Sequence, residues 1–211
     1  LEGKTILITA GGTKERIDPV RYISNDSSGK MGYALAKAAS ILGAKVQLVS
    51  TTKQLKVPYG VQVTYVESAL EMHDAVTQLF PKTDIAVMVA AVSDYYVANR
   101  SNQKIKKQQN ESGLMLELLE NPDILKKLGH SKREGQVVIG FAAETTNVLE
   151  YAKAKLEKKK ADVIIANDVS NSRIGFNSDS HQVTLLTKDG HIVNLPENSK
   201  EELALNIWES L

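Results

Sequence analysis

The chain of 211 residues has the length of one globular domain, and with 42% hydrophobic and 24% charged residues it can bury a core. Its 26 Lys and Arg against 25 Asp and Glu leave a net charge of +1, which argues against nucleic-acid binding through a strong positive field. The absence of cysteine excludes disulfides, thiol nucleophiles and cysteine-based metal sites, and favours a reducing, cytoplasmic location.

Apolar runs rich in β-branched residues alternate with helical patterns along the chain, which is typical of an α/β domain with a mainly parallel sheet. The runs predicted to be strands buried on both faces are residues 4–9, 45–50, 62–66, 84–91, 136–142 and 162–166. The helices predicted between them are residues 29–42, 68–79 and 147–159. We therefore expect a Rossmann-like three-layer αβα fold, formed by a single domain over residues 1–211.

The strongest apolar run, residues 85–92, is far shorter than the about 20 residues that a membrane helix needs. The N-terminal residues lead directly into the first predicted strand. The sequence therefore predicts no membrane segment and no signal peptide.

The C-terminal part follows a different pattern. Residues 182–187 and 191–195 flank a Lys188-Asp189-Gly190 turn, which predicts a β-hairpin. Ser199 and Glu202 form a capping-box pattern that predicts the start of a last helix. We expect the hairpin to extend the sheet in the antiparallel sense.

A polar, basic segment at residues 94–111 is too long for an ordinary connection. It follows the most hydrophobic predicted strand, and ligands of open α/β sheets bind at the carboxyl ends of strands. The sequence therefore predicts a mobile basic flap, at about residues 95–111, over a bound ligand. A surface excursion without a function is the alternative.

A glycine-rich turn, Gly11 and Gly12, follows the first predicted strand and allows backbone N–H groups to approach an anion. Residues 14–29 are predicted to be a polar loop, and Ser28 and Gly29 at its end form a possible phosphate site at the N-terminus of the first helix. The alternatives are that Ser27 or Ser28 only caps the helix and that Gly32 only permits close contact between helix and sheet.

Neither common phosphate-binding motif is present. The glycine turn does not match G-x-G-x-x-G, and Gly29-Lys30 is followed by Met31 where the Walker motif has Ser or Thr. The second strand is not followed by an acidic residue that could hold a ribose, which disfavours an NAD(P)-dependent oxidoreductase. The four histidines show no pairing typical of a metal site or a catalytic triad.

Charged residues near the predicted carboxyl ends of the strands point to a polyphosphate ligand. Lys104, Lys106 and Lys107 lie in the flap, and Lys155 and Lys159 lie four residues apart on one helical face. Asp94 and Asp123 could face Mg²⁺ or ribose hydroxyls, although an acid in the first turn of a helix is also common. These residues favour a nucleotide-dependent transfer reaction that works by positioning and electrostatics.

Nine short motifs resemble, in order, those of bacterial phosphopantothenoylcysteine synthetase, the phosphopantothenate–cysteine ligase of coenzyme A biosynthesis, and together they cover nearly the whole chain. They are ITAGGT at 8–13, IDPVRYISN at 17–25, SSGKMG at 27–32, AAVSDY at 90–95, KIKK at 104–107, NPDI at 121–124, GFAAET at 140–145, ANDV at 166–169 and GFNS at 175–178. Ser93 departs from this pattern, since many relatives have Ala there.

The resemblance implies a two-step ligation. The carboxylate of 4′-phosphopantothenate attacks the α-phosphate of CTP and releases pyrophosphate, and L-cysteine then displaces CMP from the acyl cytidylate. Mg²⁺ would enter mainly with the nucleotide phosphates. From the residues alone, CTP cannot be distinguished from ATP as the co-substrate.

The resemblance also assigns residues to these steps. The residues expected to take part in catalysis are Asn25, Lys104 and Arg21. The residues expected to contact the substrate or the intermediate are Asn25, Arg21 and Ala91, together with the predicted phosphate site Gly11, Gly12, Ser28 and Gly29. The residues expected to bind the nucleotide are Ala90, Asp94, Lys104, Pro122, Asp123, Ile124, Leu125, Phe141, Lys155 and Lys159.

The family implies partners as well. We expect a homodimer with the hairpin at residues 182–195 as a candidate contact. Many bacterial relatives are fused to a flavin-dependent decarboxylase domain, so we expect either a stand-alone synthetase with a separate decarboxylase or a part of such a fusion. A non-catalytic nucleotide-binding module on the same scaffold is the alternative from another class. Binding to nucleic acid or to a membrane is not expected.

Overall fold

The computed structural model describes residues 1–107, 112–144, 147–168 and 180–211. The described strands are β1 (Thr5–Ala10), β2 (Lys14–Arg16), β3 (Tyr22–Ser24), β4 (Lys45–Ser50), β5 (Gln62–Tyr65), β6 (Ile85–Met88), β7 (Tyr95–Val97), β8 (Leu118–Glu120), β9 (Val137–Glu144), β10 (Val163–Asp168), β11 (Ser180–Thr187) and β12 (Ile192–Ser199). The described helices are α1 (Lys30–Ile41), α2 (Ala69–Leu79), α3 (Ile124–Ser131), α4 (Val148–Lys159) and α5 (Lys200–Glu209), with a 3-10 turn at Phe80–Lys82.

Eight of these strands form one sheet in the order β12-β11-β10-β9-β6-β1-β4-β5. All neighbours from β10 to β5 are parallel, and the β11–β12 hairpin adds to β10 in the antiparallel sense. The predicted α/β sheet and its antiparallel extension are therefore confirmed. The prediction of β5 as a doubly buried strand is wrong, because β5 is the edge of the sheet and three of its four residues are exposed.

Successive residues of each central strand point to opposite faces, and this alternation divides the core into two layers. On one face, Ile6 and Ile8 pack with residues of α1 and α5. On the other face, Leu7 packs with residues of α2, α3 and α4. The three-layer αβα arrangement predicted from the sequence is confirmed.

Two small hairpins lie outside the main sheet, and the sequence did not predict them. Strands β2 and β3 pair within residues 14–29, so the prediction of a continuous polar loop there is wrong. Strands β7 and β8 pair at the base of the predicted flap, which therefore extends from Tyr95 to Glu120. Both hairpins have strands of only three residues, which is too short for a periodic pattern to be recognised.

Polar side chains cap the N-termini of three helices. Side-chain oxygens of Ser68, Asp123 and Ser199 accept the backbone N–H of the third residue of α2, α3 and α5. Helix α1 differs, because Gly29, not Ser27 or Ser28, occupies the cap position. Gly32 does allow close packing of helix on sheet, since a Cβ atom there would lie 2.6 Å from the Cβ of Ala10.

Some of the motifs named above lie partly or wholly outside the described residues: residues 108–111 of the flap, Thr145, Val169 and the GFNS segment at 175–178. Within the described ranges, no helix combines the length and the apolar character needed to cross a bilayer.

The buried carboxylate of Asp162, just before β10, connects β9 with the residue after α3 and with the β11–β12 turn. Asp162 is 7% exposed, and its Oδ2 accepts the N–H of Val138 at 2.9 Å. Lys132 and Lys188 approach its two oxygens at 2.7 and 2.8 Å. Burial by itself would raise the pKa of Asp162, but the two ammonium groups and the N–H hold that pKa below its usual value.

We therefore predict that Asp162→Asn lowers the free energy of unfolding at pH 7 by about 2 kcal/mol, because two lysines lose their charged partner. Since the folded-state pKa is depressed, the contribution is fully present above the unfolded pKa of about 3.9 and is lost as the pH falls through the lower folded value. Urea unfolding at pH 7 and pH 3 measures this difference. Glu157→Gln, an exposed change on α4, is the control, and equal stability of Asp162→Asn and wild type at pH 7 would contradict the prediction.

Candidate active site

Two threonine hydroxyls, Thr9 in β1 and Thr13 in the turn after it, hold the segment that follows β6. Thr9 Oγ1 accepts the N–H groups of Val89 and Ala90, both at 3.1 Å. Because these two N–H groups bond to a side chain, β6 ends at Met88 rather than at residue 91 as predicted. Thr13 Oγ1 accepts the N–H of Ser93 at 2.9 Å, so residues 89–93 are held at the carboxyl edge of the sheet, where they line a cavity.

Two asparagines are fixed to this same segment from either side. Asn25 Nδ2 donates to the carbonyl of Val92 at 3.3 Å, and Asn121 Nδ2 donates to the carbonyl of Ser93 at 3.0 Å. The N–H of Asn121 also donates to the carbonyl of Asp94 at 2.7 Å. Two loops far apart in the sequence are therefore held at the end of β6.

Glu15 is a buried residue of this frame that sequence reasoning did not identify. Its side chain is almost fully buried in β2, and Oε1 accepts the N–H of Ala69 at the start of α2 at 2.8 Å. Burial raises the pKa of Glu15, although hydrogen bonds from Ala69, Thr13 and Asn121 oppose that shift. In the sequence, Glu15 stands in a short polar stretch. Such a stretch is typical of an exposed loop, so the pattern does not indicate that Glu15 is buried.

A cavity of about 1030 Å³ lies at this edge of the sheet. Most of the residues predicted to bind substrate or nucleotide contribute to its wall: Gly11, Asn25, Ser28, Gly29, Ala90, Ala91, Asp94, Pro122, Asp123, Ile124, Leu125, Phe141, Lys155 and Lys159. They come from the segments that follow β1, β3 and β6, from β9 and from α3 and α4 with the residues just before α3. The structure therefore brings together residues that are up to 148 positions apart in the chain.

The two predicted nucleotide lysines are already oriented by the protein. Lys155 Nζ donates to the carbonyl of Phe141 at 2.7 Å. Lys159 Nζ contacts Asp123 Oδ2 in an ion pair that joins α4 to the start of α3. Burial by itself would raise the pKa of Asp123, but Lys159 and the N–H of Lys126 hold it below the usual value. Both ammonium groups thus lie in the cavity wall with a protein partner already in place.

Glycines let the first helix begin next to the first strand. Gly29 has a φ of 75°, and a Cβ atom there would lie 2.9 Å from Thr52 Cγ2 and 3.3 Å from the backbone nitrogen of Gly11. Gly11 itself has a φ of 89° and leaves no room beside Thr51 Oγ1. The N-terminus of α1 therefore faces the cavity, where its partial positive charge suits an anion.

A second cavity, of about 800 Å³, shares the wall formed by residues 24–27 with the first. Gly12 lines this second cavity, and Asn25 borders both. Lys14 and Lys53 also line it, each stacked over a tyrosine ring at 4.9 and 5.6 Å from the centroid. The same cavity is also lined by Asp26, Glu67 and Glu71, so charges of both signs face it. Asn25 therefore stands between the first cavity and a second cavity of mixed charge.

Two of the predicted catalytic residues, Arg21 and Lys104, line neither cavity. Arg21 instead contacts the flap, where its Nη2 donates to the carbonyl of Ile105 at 2.7 Å. Lys104 is exposed on the flap next to that contact. The roles predicted for these two residues remain predictions.

The carboxylates of the site fit a metal ion that arrives with a ligand. Among residues 1–107, 112–144, 147–168 and 180–211, no group of three His, Cys, Asp or Glu side chains could hold a metal ion. Asp123 is engaged by Lys159 and by the start of α3. Of the two aspartates predicted for this role, Asp94 is exposed in the cavity wall and fits better as a group that faces a nucleotide-bound Mg²⁺.

Together, the fold and the cavity define an α/β domain of the Rossmann-like class, whose candidate site lies at the carboxyl ends of parallel strands. Residues 1–211 match the family model of the DNA/pantothenate metabolism flavoprotein C-terminal domain, and the chain belongs to this family. The resemblance to the phosphopantothenoylcysteine synthetase domain is thereby confirmed.

Individual relatives agree with this assignment. The coenzyme A biosynthesis bifunctional protein CoaBC of Bacillus subtilis is 45% identical over 212 residues, which cover 100% of this chain and 52% of that protein. The crystal structure of the C-terminal domain of a CoaBC protein matches with a TM-score of 0.83 at 44% identity, covering 100% of this chain and 94% of that one. The crystal structure of a DNA/pantothenate metabolism flavoprotein from Streptococcus pneumoniae matches with a TM-score of 0.81 at 25% identity, covering 99% of this chain and 98% of that one. The chain thus spans about half the length of the curated relatives it matches.

We predict that Lys155→Gln weakens binding of CTP with Mg²⁺ about 10-fold, because the cavity loses a charged hydrogen-bond donor that is already in place. Lys153→Gln removes an exposed charge from the same helix outside the cavity and is the matched control. Isothermal titration of both variants measures the two dissociation constants. A value for Lys155→Gln equal to that of the control would show that the ammonium group does not contact the nucleotide.

Proposed function

We propose that this chain carries the phosphopantothenate–cysteine ligase reaction, in which 4′-phosphopantothenate and L-cysteine are joined at the expense of CTP. The observation that carries the proposal is a single cavity whose wall contains both Asn25 and the residues predicted to bind the nucleotide. The full-length match to the C-terminal half of a coenzyme A biosynthesis protein supports the same reaction.

In the first step, a carboxylate oxygen of 4′-phosphopantothenate forms a bond to the α-phosphorus of CTP. The bond to the bridging oxygen breaks, and pyrophosphate leaves with the electron pair. Lys155 and Lys159 are placed to bind the phosphate oxygens and to stabilise charge on the leaving group. The base end of the nucleotide would lie near Phe141 and residues 122–125, which share this wall.

In the second step, the amino nitrogen of cysteine forms a bond to the acyl carbon. The bond from that carbon to the phosphate oxygen breaks, CMP leaves with the electron pair, and the nitrogen loses a proton to solvent. Asn25 fits the role of holding the acyl cytidylate, because it borders both cavities and its amide is tethered to the carbonyl of Val92. An amide offers a donor and an acceptor without adding a negative charge that would repel the acyl phosphate.

Mg²⁺ belongs to this proposal as a companion of the nucleotide. When bound, it would neutralise charge on the phosphates of the leaving group. Asp94 is the residue best placed to face it. CTP is proposed over ATP on the family resemblance, since the contacts that read the base depend on hydrogen bonds that a bound nucleotide would form.

We further propose that the chain forms a homodimer in the cytoplasm. A flavin-dependent decarboxylase, as a separate protein or a fused domain, is its proposed partner. The predicted contact at residues 182–195 forms the β11–β12 edge, where Ile192 is exposed. The β7–β8 hairpin exposes Tyr95, Leu118 and Leu119 as well, and such apolar side chains on a short edge suit a subunit contact.

The direct test is pyrophosphate release by the purified chain with Mg²⁺ and 4′-phosphopantothenate, comparing CTP with ATP in the presence and absence of cysteine. We expect release that depends on CTP, with CMP and a cysteine adduct formed when cysteine is added. Tight nucleotide binding without release from either nucleotide would instead favour the non-catalytic binding module.

We further predict that Asn25→Asp slows the cysteine-dependent step about 100-fold while pyrophosphate release changes much less, because a carboxylate repels the acyl cytidylate and cannot donate to it. Single-turnover quench experiments that follow pyrophosphate and CMP separately measure the two steps. Asn206→Asp, in α5 away from both cavities, is the control. Formation of the cysteine adduct at the wild-type rate in Asn25→Asp would remove Asn25 from this role.

A further inference from the structure

A buried carboxylate lies in the turn between β2 and β3. Asp18 is 0% exposed, and its Oδ1 accepts the N–H groups of Val20 and Arg21, both at 2.9 Å. These two bonds complete the turn and use only one oxygen. The other oxygen, Oδ2, accepts Arg21 Nε at 2.9 Å, and Arg21 Nη2 lies 2.6 Å from it.

The second oxygen also reaches the flap. Asp18 Oδ2 accepts the N–H of Ile105 at 3.2 Å, and Arg21 Nη2 donates to the carbonyl of the same residue at 2.7 Å. The N–H of Ser101 adds a third contact by donating to the carbonyl of Ile17 at 3.0 Å. Both backbone polar groups of one flap residue are thus bound by an ion pair more than 80 positions away in the sequence.

This ion pair stands between two residues that the proposed reaction needs. Lys104 is the immediate neighbour of Ile105 in the flap. On the other side, Arg21 directly precedes β3, and β3 leads into Asn25. Displacing the contact at Ile105 therefore changes where Lys104 can reach, whereas the turn at Oδ1 can remain intact.

We propose that Asp18 is a positioning residue for the ligation, which fixes the flap backbone at Ile105 through its own Oδ2 and through Arg21, and so sets the position of Lys104 relative to the Asn25 loop. This inference rests on the proposed function. Asp18 acts through other residues and touches neither cavity.

The charge of Asp18 is consistent with this role. Burial by itself would raise its pKa, but the Arg21 guanidinium and the surrounding N–H groups hold the pKa of Asp18 well below its usual range. A charged acceptor also makes stronger hydrogen bonds than a neutral one. A neutral replacement of the same shape therefore probes the contact without opening a cavity.

Asp18→Asn is that replacement. One amide oxygen cannot serve both the turn donors at Oδ1 and the flap and guanidinium donors at Oδ2. We expect pyrophosphate release at saturating substrates to fall about 100-fold, since small displacements of catalytic groups carry losses of this size. Arg16→Gln breaks the Arg16–Glu67 ion pair of the same hairpin without touching the flap, and serves as the matched control with near wild-type rate.

A double-mutant cycle with Lys104→Met separates positioning from general weakening of the fold. If Asp18 acts through Lys104, then adding Asp18→Asn to Lys104→Met lowers the rate little beyond Lys104→Met alone. Losses that multiply, or a wild-type rate in Asp18→Asn, would overturn the proposal. Ile105→Pro removes the flap N–H while leaving the Asp18–Arg21 turn intact, and the same non-additivity is expected for it should Asp18→Asn fold poorly.

Limited trypsin cleavage after Lys106 and Lys107 measures whether the flap backbone is held, and it requires no enzymatic activity. Lys104 is left out because trypsin does not cleave the Lys–Pro bond that Ile105→Pro creates. Asp18→Asn and Ile105→Pro should be cut about 10-fold faster than wild type and Arg16→Gln, because the flap backbone is released. Equal cleavage of all four proteins would overturn the proposal. If the variants are cleaved faster but the wild-type protein releases no pyrophosphate, the flap contact stands and the ligase assignment is wrong. The failure of the inference and the failure of the proposed function are therefore distinguishable.

Discussion

Two threonine hydroxyls, one from β1 and one from the turn that follows it, are the contacts on which the geometry of the site depends. A buried N–H group needs an acceptor, and a strand supplies it through its neighbour. After Met88, the acceptors for Val89 and Ala90 are the Thr9 hydroxyl, and the acceptor for Ser93 is the Thr13 hydroxyl. Ala91 in addition donates to the carbonyl of Gly11 and forms a parallel bridge with Gly12. The segment 89–93 is therefore held beside the turn after β1 while it lines the cavity, and it offers its own carbonyls to Asn25 and Asn121.

The charges of the cavity are arranged before any ligand arrives. Lys155 is held by a neutral carbonyl and Lys159 by Asp123, so neither side chain has to be ordered when a polyphosphate binds. The N-terminus of α1 adds backbone N–H groups at the opposite wall, where Gly11 and Gly29 keep the approach close. This arrangement suits a transfer reaction in which positioning and electrostatic stabilisation replace a covalent protein intermediate.

Much of this could be predicted from the sequence, because the long elements carry periodic patterns. The central strands and the helices α1, α2 and α4 lie within a few residues of the prediction, and the capping signal at Ser199 is confirmed. The three-residue strands of the two small hairpins carry no such pattern. The function of Thr9, Glu15 and Asp18 was hidden for a different reason: each bonds to residues more than 50 positions away, and polar residues in a linear string give no sign of such partners.

The proposed ligation consists of two half-reactions that occur in one cavity and can be separated. Exchange of labelled pyrophosphate into CTP measures this most directly, because it requires reversible formation of the acyl cytidylate but not its capture by cysteine. The proposed mechanism predicts that label enters CTP in the presence of 4′-phosphopantothenate and Mg²⁺ without cysteine, and that the cavity variant Lys155→Gln exchanges label more slowly. Exchange that occurs without 4′-phosphopantothenate, or that appears only after cysteine is added, would contradict an acyl-cytidylate mechanism at this site.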